Sequence, residues 1–234
     1  MSQVKSFQCS KGELNYLEII NGVGNEKPTL FMLHGYGANM RDLAPLAAVH
    51  PAFKEFNWIF PDGPIKVPIG PMMFGRAWFP LDMEELNRAM MTSSFETLFS
   101  DKLPSGLAEA SELLTQFIEA KAGGSYLLGG FSQGSMMACE LSLNSSLKPE
   151  ALVLLSSTLV AKERFVERLK KAHCLPVFQC HGISDPVLPI SMARALKQQF
   201  NECAWEVDYH EFTGGHEIPP QALQALVTFL GAIK

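Results

Sequence analysis

A serine flanked by glycines lies in the middle of the chain, in the segment 130–134 (Gly-Phe-Ser-Gln-Gly). An apolar run precedes the segment and a helical pattern follows it, so the sequence predicts a strand, a sharp turn with Ser132 at its tip, and a helix. Ser132 is a candidate nucleophile, because the free N–H groups at the helix start point towards an anion forming above its hydroxyl. A glycine-rich turn without chemistry has the same pattern, and five residues alone do not separate the two interpretations.

The two groups that a serine nucleophile needs follow later apolar runs. Asp185 comes after the run 177–180, and His216 comes after the run that ends at Phe212. A histidine titrates near neutral pH, so it can take the serine proton and return it, and an aspartate can fix its tautomer. Alone, Asp185 is a common turn residue and His216 an ordinary loop residue. Together, in the order Ser, Asp, His, the three residues predict a catalytic triad.

Acyl transfer through a serine also needs two N–H donors for the oxyanion. The amide of Gln133, directly after the serine, is the first candidate. The glycine-rich stretch 34–37 (His-Gly-Tyr-Gly) follows another apolar run, and we assign the second donor to the amide of Tyr36. We expect His34 to be a structural hydrogen-bonding residue rather than a second base.

The elements that must position these residues alternate between strands and helices from about residue 29 onwards. Short apolar runs at 29–33, 58–60, 126–128, 151–155 and 177–180 are typical of strands buried on both faces, and helical patterns separate the later ones. The predicted fold class is α/β, with a mainly parallel sheet and helices on both faces. We expect one domain over residues 1–234, since no repeat or composition shift marks a second one.

Residues 64–95 form the least regular part of the pattern. Four prolines within them argue against long regular structure, and we expect an irregular segment. The segment is nevertheless rich in methionine, phenylalanine and tryptophan, which must be buried somewhere. Two interpretations stay open: a small satellite core beneath a long loop, or the wall of an apolar substrate groove.

Composition excludes several classes of protein. The net charge is −5 and no run of Lys or Arg occurs, so nucleic-acid binding is not expected. Five cysteines are scattered without a Cys-x-x-Cys pair, which favours neither a zinc site nor a disulfide framework. The first 13 residues are polar, and no stretch has the length of a membrane span. We therefore expect a cytoplasmic protein without integral membrane association.

In combination, these motifs resemble the phospholipase/carboxylesterase family of α/β-hydrolases, which includes small bacterial carboxylesterases and acyl-protein thioesterases. The resemblance runs from about residue 29 to the C-terminus and rests on six segments in order: 33–37, 61–64, 76–79, 130–134, 181–187 and 215–217. It implies a hydrolase with little or no cap domain, acting on ester or thioester bonds without a cofactor. By position, the triad is Ser132, Asp185 and His216, and the oxyanion donors are Tyr36 and Gln133.

The resemblance also places an aromatic residue near the active site at Trp78. With the neighbouring Met73 and Phe79, it forms our predicted set of substrate-binding residues. The family commonly has an aspartate directly after this aromatic pair, whereas here Pro80 and Leu81 precede Asp82. Because this departure lies in the expected groove wall, the family's substrate preferences do not carry over.

We predict a serine hydrolase that cleaves short- to medium-chain carboxylic esters or thioesters through an acyl-enzyme intermediate. A non-catalytic binding protein with this fold, or a peptidase or lipase on the same scaffold, are the alternatives. The expected partner is a small or lipid-like acyl substrate. A homodimer is compatible with the sequence, which does not determine the oligomeric state.

Overall fold

The computed structural model describes residues 2–8, 13–22, 27–82, 103–144 and 146–233, with the single positions 84, 88 and 91. Eight strands form one sheet in the order β1-β2-β4-β3-β7-β8-β9-β10. Their bounds are Gln3–Phe7, Tyr16–Ile20, Asn57–Pro61, Thr29–Leu33, Tyr126–Phe131, Leu152–Leu155, Val177–Gly182 and Val207–Phe212. The pairs from β4 to β10 are parallel, whereas β1 and β2 run antiparallel to their neighbours.

The continuous apolar runs are central strands because both faces of the sheet are covered. Along β3, Phe31 and Leu33 pack into one core cluster, and Leu30 and Met32 pack into a second cluster on the opposite face. The described helices are α1 (Leu46–Val49), α2 (Leu107–Lys121), α3 (Gln133–Ser142), α4 (Lys162–Leu169), α5 (Ile190–Glu202) and α6 (Pro220–Ala232). The predicted single α/β domain with a mainly parallel sheet is confirmed.

Two details at the sheet edges differ from the sequence pattern. The polar N-terminal stretch contributes strand β1, which pairs with β2 and has an exposed surface. The alternating pattern of residues 205–212 predicts an edge strand that begins at Trp205, whereas the strand begins at Val207 and lies at the other edge of the sheet. None of the helices in the described part of the chain is long and apolar enough to cross a membrane.

The segment 64–95, expected to be irregular, begins with a regular hairpin. Strands β5 (Ile65–Gly70) and β6 (Met73–Ala77) pair antiparallel in a separate two-stranded sheet. Pro68 is tolerated there, opposite Phe74, because a two-stranded sheet leaves one side of each strand unpaired. In the rest of the segment, residues 83, 85–87, 89–90 and 92–95, among them Met83, Met90 and Phe95, lie outside the described residues.

Candidate active site

Ser132 lies at the sharp turn between β7 and α3. Its backbone has φ 53° and ψ −120°, a conformation that residues other than glycine rarely adopt. The flanking glycines permit the turn: a Cβ on Gly130 would lie 2.3 Å from the carbonyl carbon of Gly134, and one on Gly134 would lie 2.0 Å from the Leu33 oxygen. The Ser132 amide donates to the Leu155 oxygen at 2.9 Å, which ties the turn to the neighbouring strand. The predicted strand, sharp turn and helix are therefore present.

Asp185 and His216 meet at the carboxyl ends of β9 and β10. His216 Nδ1 lies 2.7 Å from Asp185 Oδ2. The two loops touch through backbone, because a Cβ on Gly182 would lie only 2.2 Å from the Gly215 oxygen. The imidazole of His216 also packs on the ring of Phe131, with 4.8 Å between centroids. Since Phe131 directly precedes Ser132, this contact places the Asp-His pair beside the turn.

The carboxylate of Asp185 is held by both of its oxygens. Oδ1 accepts from the amides of Val187 and Leu188 at 2.8 and 2.9 Å. His181 is fully buried, and its Nε2 lies 2.7 Å from the Leu188 oxygen and 3.3 Å from Asp185 Oδ2. Burial alone would raise the pKa of Asp185, but the hydrogen bonds with His181, His216 and Leu188 outweigh it and hold that pKa well below its usual range. Asp185 is therefore an anion at neutral pH.

The loop 34–37 lies directly against the turn. A Cβ on Gly35 would lie 3.4 Å from the Ser132 Cβ, an ordinary van der Waals distance, so the backbone of the loop passes close to the turn. Among the described residues, no oxygen accepts a hydrogen bond from the amide of Tyr36 or from that of Gln133. Both predicted oxyanion donors thus have free N–H groups on backbone next to Ser132.

His34 is buried, its hydrogen bonds within the described part of the chain are to backbone groups, and its Nε2 lies 3.7 Å from the Asp62 carboxylate. Its Nε2 accepts from the Gly63 amide at 2.9 Å, which makes Nδ1 the protonated nitrogen, and Nδ1 donates to the Gly35 oxygen at 2.8 Å. Burial lowers the pKa of His34, so it is neutral. His34 is the structural hydrogen-bonding residue that the sequence predicts.

Two of the three predicted substrate-binding residues do not lie on a surface. Trp78 and Phe79 have no exposed area and belong to the core cluster that also contains Phe31 and Leu33. The assignment of both as groove residues is therefore corrected: their rings fill the core, and the Trp78 Nε1 donates to the His34 oxygen at 2.8 Å. Met73 is exposed, as are other apolar side chains around the turn of the hairpin, namely Ile69, Met72 and Phe74.

The side chain of Gln133 is a part of the site that the sequence did not reveal. It is buried, its Oε1 accepts from the Trp78 amide at 3.0 Å, and its Nε2 donates to the Phe79 oxygen at 2.7 Å. Only its backbone amide was given a role from the sequence. A glutamine that bonds to a segment more than 50 residues earlier leaves no signal in its own neighbourhood.

Elsewhere in the described residues, no group of three or more His, Cys, Asp or Glu side chains is arranged to hold a metal ion. A cavity of about 1400 Å³ lies at the amino-terminal ends of β8, β9 and β10, and none of the predicted site residues lines it. The chemistry is concentrated at the opposite, carboxyl ends of the strands, where ligands meet open α/β sheets.

Comparisons with known proteins match most of the chain. The model of the family described as Phospholipase/Carboxylesterase matches residues 14–234. A protein named acyl-protein thioesterase 1 from Mycosarcoma maydis is 26% identical over 242 residues, covering 91% of this chain and 94% of that protein. Its namesake from Saccharomyces cerevisiae is also 26% identical, with 93% and 97% covered.

Solved structures include similar folds. The crystal structure of esterase PE8 superposes with a TM-score of 0.79 at 26% identity, covering 95% of this chain and all of that one. Acyl-protein thioesterase 2 from Zea mays superposes with a TM-score of 0.64 at 18% identity, covering all of this chain and 98% of that one. At this level of identity, the second similarity shows the fold alone.

Proposed function

The chain belongs to the phospholipase/carboxylesterase family of α/β-hydrolases and is a serine hydrolase of carboxylic esters or thioesters, and we propose that Ser132, Asp185 and His216 are its catalytic triad. The observation that carries the assignment is the 2.7 Å contact between His216 and Asp185, packed through Phe131 against the turn that holds Ser132. A serine hydroxyl is a weak nucleophile at neutral pH and needs such a base close by.

In the proposed mechanism, His216 Nε2 takes the proton of Ser132 as Oγ attacks the acyl carbon. Asp185 accepts a hydrogen bond from Nδ1, so it fixes the tautomer that leaves Nε2 free and stabilises the imidazolium that forms. His216 then returns the proton to the leaving alcohol or thiol, and an acyl-serine remains. Water deacylates it by the same steps in reverse order.

The amides of Tyr36 and Gln133 are the proposed oxyanion donors. Gln133 N lies at the first position of α3, where the helix leaves N–H groups unpaired and its dipole favours negative charge. Tyr36 N belongs to the loop that packs on Ser132 through Gly35. Donors fixed in advance stabilise the transition state without reorganising during the reaction.

We assign the acyl chain to the exposed apolar surface of the hairpin, on which Met73 lies. The hairpin packs on the proposed oxyanion loop, because the Gly37 amide donates to the Arg76 oxygen at 2.8 Å. Exposed apolar side chains next to such a loop suit an alkyl chain of short to medium length. This part of the proposal replaces Trp78 and Phe79 by hairpin side chains.

The proposal includes a cytoplasmic location and no nucleic-acid partner. The four described cysteines are free thiols, which supports a reducing compartment, and the net charge of −5 disfavours a polyanion. A homodimer remains a separate proposal, and sedimentation equilibrium of the purified protein tests it.

The experiment that tests the triad is labelling with a fluorophosphonate probe, which reacts with activated serines. We expect the wild type to be labelled and Ser132→Ala to be unlabelled at the same concentration. Ser135→Ala is a matched control. The Ser135 hydroxyl lies three residues along the chain and donates to the backbone carbonyl oxygen of Ser132. Equal labelling of the wild type and Ser132→Ala would overturn the assignment. Hydrolysis of p-nitrophenyl esters and thioesters of increasing length by the wild type then measures chain preference.

A further inference from the structure

The first residue of helix α3 binds a remote stretch of backbone with its side chain. Gln133 is only 1% exposed, and its amide group forms hydrogen bonds of 3.0 Å with the Trp78 N–H and 2.7 Å with the Phe79 carbonyl. Both the donor and the acceptor of the side chain are thus satisfied by two consecutive residues. Burying the amide group of a glutamine lowers the stability of the fold unless both its oxygen and its nitrogen form hydrogen bonds.

The same stretch of backbone also holds the loop that carries Tyr36. The Gly37 amide donates to the Arg76 oxygen at 2.8 Å, and the Arg76 amide donates to the Ala38 oxygen at 2.7 Å. A Cβ on Gly75 would lie 1.8 Å from the Gly37 oxygen, so the two backbones are in direct contact. The Trp78 indole adds a 2.8 Å bond to the His34 oxygen. Residues 75–79 are therefore fixed to the loop at several points.

The two candidate oxyanion amides lie on different strands' loops and must converge on one oxygen atom. Among the described residues, no hydrogen bond joins loop 34–38 directly to residues 132–134. The polar connection between them runs from the Gln133 side chain to residues 78 and 79 and from there, through β6 and the Trp78 indole, to the loop.

We propose that the Gln133 side chain is a positioning residue that sets the spacing between the Tyr36 and Gln133 amides. It acts through residues 75–79 and does not touch the substrate. The proposal rests on the proposed function, because it assumes that these two amides bind the oxyanion. A loosened connection moves the Tyr36 donor, and a misplacement of about 1 Å in a catalytic group can cost on the order of 10²-fold in rate.

The test is Gln133→Met, which keeps the length of the side chain and removes both hydrogen bonds. We expect kcat for a p-nitrophenyl ester to fall by about 10- to 100-fold with KM nearly unchanged, because the interaction with the oxyanion exists only in the transition state. The affinity for an alkyl boronic acid, which bonds to the serine and places an oxygen in the oxyanion site, should fall by a similar factor. A wild-type kcat and boronic acid affinity in a folded Gln133→Met protein would overturn the proposal.

Gln179→Met is the matched control. Gln179 is also buried, and its Nε2 donates to the Ala193 oxygen at 2.8 Å, so the variant loses a comparable hydrogen bond away from the two amides. We expect a lowered melting temperature with kcat close to wild type. An equal loss of kcat in both variants would mean that general destabilisation explains the effect, and would overturn the proposal.

Trp78→Phe gives a second route that leaves Gln133 intact. It keeps an aromatic ring in the core and removes the hydrogen bond to the His34 oxygen, while the hydrogen bond from the backbone N–H of residue 78 to Gln133 remains possible. We expect a smaller loss of kcat, and less than additive losses when it is combined with Gln133→Met, because both changes loosen one connection. An unchanged kcat in Trp78→Phe would count against the proposal even if Gln133→Met does not fold, and additive losses would count against it where both variants fold. A wild type that fluorophosphonate does not label would instead refute the proposed function.

Discussion

The loops after β7, β9 and β10 contribute side chains to the candidate site, whereas the loop after β3 contributes a backbone amide. The side-chain half of the site, formed by Ser132, Asp185 and His216, is held by contacts within its own loops. His216 bonds to Asp185, and Gly182 lets the loops after β9 and β10 touch. The amide half of the site, loop 34–38 with the Tyr36 amide, is held by groups outside that loop, namely hairpin strand β6 and the Gln133 side chain. The triad side chains are thus held by residues whose types indicate a catalytic role. The backbone amides are held by residues whose types do not indicate one.

This difference has a physical origin. A triad needs particular functional groups, so substitution of any member removes the chemistry itself. An oxyanion donor needs only an N–H group in the right place, which every residue except proline has. Its placement therefore depends on the backbones that pack around it, and these come from distant parts of the chain.

The largest expected effect is in the side-chain half. Asp185→Asn should keep the shape of the loop but remove the negative charge that orients His216, and we expect kcat to fall by about 10³- to 10⁴-fold. Steady-state kinetics with a p-nitrophenyl ester measures it. Asp208→Asn is the control, because this exposed aspartate pairs with His210 on β10, away from the site. A kcat loss of less than about tenfold in Asp185→Asn would contradict the claim that the triad depends on the carboxylate of Asp185.

A backbone substitution should damage the amide half almost as much without removing any functional group. In Gly75→Ala, the new Cβ would lie 1.8 Å from the Gly37 oxygen, so loop 34–38 must move away from β6. We expect about a 10²-fold lower kcat, measured with the same ester.

Gly231→Ala is the matched control for this glycine. Outside its own helix backbone and chain neighbours, no described residue has an atom within 4 Å of the new Cβ in helix α6, so kcat should stay at the wild-type value and the melting temperature should rise slightly. Wild-type kcat in Gly75→Ala would show that the loop tolerates displacement, and the contrast between the two halves would disappear.

The same contrast explains what could be predicted from the sequence. The apolar runs predicted the central strands, and Ser132, Asp185 and His216 could be proposed as a triad because their residue types and chain order are informative. The burial of Trp78 and Phe79 was missed, since an aromatic pair after a proline-rich stretch has the same composition in a core as in a groove. The hairpin β5–β6 was missed because Pro68 argues against a strand unless its unpaired side is known. The Gln133 side chain was missed because its partners are backbone atoms.

Lowering the pH should affect the stability of the two halves over different pH ranges, and this effect is smaller than the losses of kcat above. Burial lowers the pKa of His34, so below about pH 6.5 the unfolded chain takes up a proton that the folded protein resists, and stability is lost as the pH falls. Protonation at Nε2 would also break the hydrogen bond from the Gly63 amide. The pKa of Asp185 is held below its usual range, so its contribution is present above the unfolded pKa of about 4 and is lost only at more acidic pH.

Between about pH 6.5 and 5, the amide half should therefore weaken while the Asp185 anion persists. We expect His34→Gln to be less stable than the wild type at pH 7.5, and the gap in the free energy of unfolding to narrow on acidification, by at most about 1.4 kcal/mol per pH unit. Urea unfolding curves at half-unit steps from pH 7.5 to 5 measure it, because groups that titrate alike in the two proteins cancel from the difference in their free energies of unfolding at each pH. Two curves that stay parallel over this range would mean that a neutral His34 does not hold the loop, and that the amide half depends on the hairpin and Gln133 alone.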